Sequence, residues 1–132
     1  MFTLQQIKEA HAKVKSGADF PAYIQALNNL GVAHYATYVT DCHTLYTGKE
    51  QERLFSASRY TAIAIADNSD PALLKIYLQE HQQGKTDYFT FCNQAAATGV
   101  WKWVVDLYAM TCTYYDKAGT VMLAEEIPLL LD

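Results

Sequence analysis

No stretch of this 132-residue chain approaches the ~18 to 20 continuous apolar residues that a membrane-spanning helix requires. Apolar stretches such as residues 61–66 and 129–131 are far too short. The opening Met1-Phe2-Thr3-Leu4-Gln5-Gln6 lacks the basic region and apolar core of a secretory signal. Cysteine is scarce: Cys42, Cys92 and Cys112 are an odd set with no CxxC spacing. That argues against a disulfide framework and against pre-organised zinc, and makes a reducing cytoplasm the expected location. A basic excess is missing too, with 10 Lys and Arg against 14 Asp and Glu for a formal charge of -4, so a nucleic-acid partner is not expected. The patterns GxxxxGK[ST], GxGxxG and GxSxG are absent, which removes the usual entry points to phosphate, dinucleotide and esterase chemistry. No cofactor and no metal is implied.

What is present is an echo. Asp19-Phe20-Pro21-Ala22-Tyr23-Ile24 returns as Asp87-Tyr88-Phe89-Thr90-Phe91-Cys92, Gly31-Val32 as Gly99-Val100, Tyr46 as Tyr114 and Lys49 as Lys117. The period is too long and the copies too few for a solenoid. With 51% hydrophobic and 18% charged residues the composition is that of a globular protein. The expectation is one domain over residues 1–132, made of two pseudo-repeats at about 3–66 and 70–128.

Each half reads helix, helix, strand, strand, strand. Thr3 and Gln6 fit a capping box, Leu4, Ile7, His11 and Val14 recur at helical spacing, and Gly17 offers a stop. Asp19 opens a second helix with Phe20, Tyr23, Ile24, Leu27 and Leu30 on one stripe, ending at Gly31. Alternation from Val32 predicts a strand, Asp41-Cys42-His43 a turn, and Leu45–Tyr46 and Leu54–Phe55 two further strands; residues 60–66 read as one more. Asp67-Asn68-Ser69-Asp70-Pro71 marks a third helix, carrying Leu74, Tyr77, Leu78 and His81. Asp87 caps a fourth, with Tyr88, Phe91, Cys92 and Ala95. Strands follow at residues 100–108, 111–115 and 120–127. Short turns between consecutive strands imply an α+β fold, an antiparallel sheet with four helices packed on one face.

Four residues carry potential chemistry. His11 and His81 sit late on the first helix of each half, where two imidazoles could share a site near a twofold axis with Asp19 and Asp87. The plainer account is a half-buried histidine at the negative helix end. The Cys42-His43 turn could expose a thiol beside an imidazole, although sequence neighbours are badly placed for a directed hydrogen bond. Cys92 and Cys112 read as small buried hydrophobes. Trp101 and Trp103 are expected in the core with Val105 and Leu107. Tyr38, Tyr108, Tyr114 and Tyr115 are assigned to an amphipathic sheet face able to pack a second subunit or an apolar ligand. The basic side formed by Lys8, Lys13 and Lys15 is interrupted by Glu9 and reads as a solvated helix face.

The strings Leu4-Gln5-Gln6-Ile7-Lys8-Glu9-Ala10-His11, Lys13 through Ile24, His81-Gln82-Gln83-Gly84-Lys85-Thr86-Asp87-Tyr88, and Met110-Thr111-Cys112-Thr113-Tyr114-Tyr115-Asp116 resemble an uncharacterised bacterial family. Its members often carry the label "phage envelope protein", and some lie in prophage regions. The resemblance covers nearly the whole chain and brings no catalytic residues with it. Phe89 departs from the proline of the family pattern, the residue that Pro21 keeps in the first half. The expectation is a small, soluble, cytoplasmic binding or interaction module, a homodimer with a protein or small-molecule ligand and no membrane. The alternatives are a small enzyme at the junction of the repeats, using His11, His81 or Cys42-His43, and a phage-associated accessory protein.

Overall fold

The computed structural model describes residues 2–14, 19–58 and 60–127. Its elements, in chain order, are α1 (Leu4–His11), α2 (Phe20–Leu30), β1 (Val32–Tyr38), β2 (His43–Gly48), β3 (Arg53–Phe55), α3 (Pro71–Gln82), α4 (Tyr88–Ala97), β4 (Val100–Asp106), β5 (Thr111–Asp116) and β6 (Val121–Glu126). The helix-helix-strand-strand-strand unit is therefore duplicated. The six strands form one antiparallel sheet in the order β3-β2-β1-β4-β5-β6. The helices pack on one face, and the two halves meet at the central β1–β4 pair.

Local chemistry accounts for most boundaries. Thr3 and Gln6 exchange both bonds of a capping box at α1, satisfying two amides that have no helical acceptor. The carboxylates of Asp70 and Asp87 accept from the amides of Leu73 and Thr90 and start α3 and α4. Asp19 precedes α2, but its side chain makes no capping bond; Pro21 in the first turn removes one of the amides such a cap would serve. The Gly17 stop lies outside the described residues.

The strand expected at residues 60–66 does not form. Single bonds from Ile63 to Thr40 and from Ala66 to Ala96 carry the chain from the sheet edge to the helix layer. The segment does not add to the open outer edge of β3; its backbone bonds go to the turn after β1 and to the end of α4 instead. One expected core residue also moves. The register shifts between Val100 and Lys102, and a bulge breaks the two-residue alternation. Trp103 stays buried against Tyr88, Phe91 and Tyr114, whereas Trp101 is half-buried against Tyr38 and Lys102.

Candidate functional site

The helices cover Tyr35, Thr37, Tyr46, Trp103, Val105, Cys112 and Tyr114, all buried. Alternation then assigns the intervening residues to the opposite, helix-free face, where strand register arranges them in three rows. The first runs His43, Tyr38, Lys102, Tyr115, Val121. The second, across the middle, runs Phe55, Leu45, Ala36, Val104, Thr113, Ala124. The third runs Arg53, Thr47, His34, Asp106, Thr111, Glu126. An aromatic and cationic row thus lies on one side of an apolar one, and a polar row carrying two carboxylates on the other. Phe55 and Val121 are left 58% and 53% exposed at opposite edges.

Side chains in the first row are linked from His43 through to Tyr115. The His43 ring stacks on Tyr38 with centroids 4.9 Å apart and planes at 11°. The Lys102 ammonium lies 4.6 Å from the Trp101 ring centroid, 5.5 Å from Tyr115 and 5.7 Å from Tyr38, held by ring quadrupoles. Among the described residues no carboxylate lies within ion-pair distance of Lys102. At the row's end, Asp41 binds His43 Nδ1 at 2.5 Å through one oxygen and the Ser58 hydroxyl at 2.5 Å through the other. The Ser58 hydrogen bond, with those from His43, lowers the Asp41 pKa to about 2 against the cost of desolvation. Asp41 is therefore an ionised acceptor at neutral pH, which makes His43 Nδ1 the donor and turns Nε2 to other chemistry.

The sequence-derived candidates divide. Cys42 does not join His43: its residue is left-handed (φ 59°), its thiol is fully buried, and it lies 2.8 Å from the Cys92 sulfur. Adjacent residues leave the turn on opposite sides, so the thiol enters the core while the imidazole reaches the open face. His81 stacks on Phe91 at 4.7 Å, and its Nδ1 meets the Thr86 carbonyl and hydroxyl at 3.0 and 3.1 Å. Burial holds its pKa below the ordinary value, opposed by the Thr86 bond and by Asp87. His11 packs edge-on against Tyr23 and Tyr88. Among the described residues no group of three His, Cys, Asp or Glu is placed to hold a metal.

Of the four tyrosines, Tyr38 and Tyr115 flank Lys102 on the open face. Tyr108 is 97% exposed at the β4–β5 turn. Tyr114 lies in the core against Trp103, because a residue next to Tyr115 in a strand must point to the other side. Sequence reading gave Lys102, Trp101 and Asp41 no site role, placing Trp101 in the core and Asp41 in a turn. The signal available for Lys102 was its alternation with Trp103; nothing in the chain order announced the bulge.

Residues 8–126 match the family described as "Protein of unknown function (DUF1398)". The chain is also 25% identical over 116 residues to the "Uncharacterized protein YcgX" of Escherichia coli (strain K12), covering 87% of this chain and 86% of that protein. The phage label that came with the resemblance is overturned. Neither description carries a phage or envelope role. Separately, among the described residues no helix is long and apolar enough to cross a membrane.

Proposed function

We propose, from the premise that this chain belongs to the DUF1398 family, that it acts by binding, and that its helix-free sheet face pairs with a second copy of itself. The observation that carries this is the order of the three rows. Consider two sheets facing each other across a twofold axis laid along the apolar middle row. Each strand then lies over its own copy, running the other way, and the outer rows exchange. Lys102 of one copy meets Asp106 of the other, twice, while Ala36 and Val104 meet themselves. Such pairing keeps strand directions within the usual range for stacked sheets and is isologous, as a closed dimer requires. The same operation brings each exposed Tyr108 turn to the Trp101 end of the second copy.

Size supports it as well. Six strands at ~4.8 Å spacing and ~3.3 Å per residue give a face of about 600 Å² before corrugation, the order of the ~800 Å² per partner of a standard interface. Small residues at the centre allow close approach. The small, odd number of cysteines without CxxC spacing fits a reducing, cytoplasmic setting.

Charge reversal tests the pairing. Wild type is expected to sediment as a dimer at micromolar concentration. Lys102→Asp sets carboxylate against carboxylate and Asp106→Lys sets ammonium against ammonium, so each variant alone is expected to be monomeric. Mixed together they restore both contacts and are expected to form a heterodimer. A monomeric wild type overturns the pairing; failure of the two folded variants to associate overturns its geometry. Circular dichroism checks folding, since Asp106 also accepts the Tyr108 and Ala109 amides at 2.9 Å.

A second reading, a small enzyme, is favoured by one observation, the carboxylate-oriented His43 imidazole. Oriented in this way, Nε2 is a general base. It requires turnover of an activated ester or amide that His43→Gln abolishes while leaving the dimer intact.

A further inference from the structure

Cys42 and Cys92 come from different halves of the duplication, 50 residues apart, and their sulfurs lie at 2.8 Å. Both are fully buried. The positions equivalent to them in the other half hold Met110 and Ile24, so ordinary apolar side chains fill this place in the fold where no second thiol is present. Cys42 also occupies a left-handed backbone conformation, uncommon for a residue with a Cβ, and it is this conformation that sends its side chain under α4. Met110, at the matching turn, has the same conformation at φ 56°. The turn geometry thus belongs to the fold, and the pair of sulfurs to this chain.

We infer that Cys42 and Cys92 are a dithiol–disulfide pair that closes when the protein meets a thiol oxidant, pinning the first hairpin turn to α4. In closing, two S–H bonds break and one S–S bond forms, and two electrons and two protons pass to the oxidant. A small-molecule disulfide is reduced to two thiols through a mixed disulfide. A hydroperoxide is reduced to an alcohol or water through a cysteine sulfenic acid, which the second thiol then displaces with loss of water. Full burial makes the step wait on local opening, and it shields the finished bond from reductant. Cys112 takes no part: its side chain bonds to Tyr114 on β5, and the sulfur–sulfur contact is between Cys42 and Cys92. The pair does not depend on self-association and stands or falls separately from it.

The bond is read on wild-type protein incubated with oxidised glutathione, then denatured, alkylated and weighed. Reduced and denatured protein has three cysteines to alkylate, and the oxidised form is expected to keep one, with a linked peptide containing Cys42 and Cys92. Closing a loop of about 50 residues is expected to raise Tm by about 10 °C, reversed by a phosphine reductant. Cys112→Ser is expected to retain both responses. Three alkylated cysteines after oxidation, retained glutathione, or a linkage through Cys112 overturns the inference. An unchanged Tm overturns the pinning. Because the wild type carries the measurement, the stability of Cys42→Ala or Cys92→Ala does not decide it.

Discussion

Asp41 ties a turn, an imidazole and a loop together with one carboxylate. Its two oxygens serve His43 and Ser58, and the Ser58 bond is the largest single cause of its low pKa of about 2. A carboxyl whose folded pKa lies below its unfolded value stabilises the fold above the unfolded value, near 3.9. That contribution is lost as pH falls through about 2. Replacing Ser58 by Ala is expected to move the Asp41 pKa up toward the ordinary range, as followed by carboxyl-carbon NMR titration. An unmoved value would assign the shift to His43 instead. Sequence reading reached His43 but paired it with the wrong neighbour. Chain adjacency brings Cys42 closest, while the sidedness of a left-handed turn residue separates them and lets Asp41, two positions back, fold over the ring.

At the scale of elements, caps and stops were the most readable features, because each is a short-range exchange between a side chain and an amide one turn away. Gly31 and Gly99 both end helices in the left-handed region, at φ 99° and 96°, yet they differ in surroundings. A Cβ on Gly31 meets nothing within 4 Å, whereas one on Gly99 would lie 2.8 Å from the Asn68 carbonyl oxygen and 2.9 Å from the Ser69 Cα. Gly31→Ala is therefore expected to cost about 1 kcal/mol, for backbone conformation alone. Gly99→Ala adds displacement of a backbone segment and is expected to cost about 3 kcal/mol. Urea denaturation measures both, and equal costs would mean that the 68–69 segment yields freely. What misled at this scale was residues 60–66, whose composition suits a strand but whose backbone bonds go to Thr40 and Ala96 rather than into the sheet.

For the molecule as a whole, the duplication is more regular in the backbone than in the residues. The strand starts Val32, His43 and Arg53 recur at Val100, Thr111 and Val121, an offset of 68 each time. The bulges after Val32 and Val100 obey the same offset. So do the left-handed pairs Gly31 and Gly99, Cys42 and Met110, and Gln51 and Gly119. The ring pair Tyr35–Tyr46, at 5.6 Å, is matched by Trp103–Tyr114 at 5.9 Å. Joining two such units through β1 and β4 leaves one broad face without helices, and the proposed self-pairing gives it an occupant. Because an associated state is favoured by mass action, Tm is expected to rise with protein concentration in wild type and to be independent of it in Lys102→Asp.

The echo, the element order, the caps and the helix-on-one-face class were legible in the residues because they depend on spacing within a turn or a hairpin. The open face was half legible: alternation places Tyr38 and Tyr115 there and, properly applied, sends Tyr114 to the core. The three rows were not legible, since they rest on β1 pairing with β4 across the whole intervening chain, a long-range contact that no local pattern encodes. Nor was the approach of Cys42 to Cys92, which requires the turn of one half to tuck beneath a helix of the other.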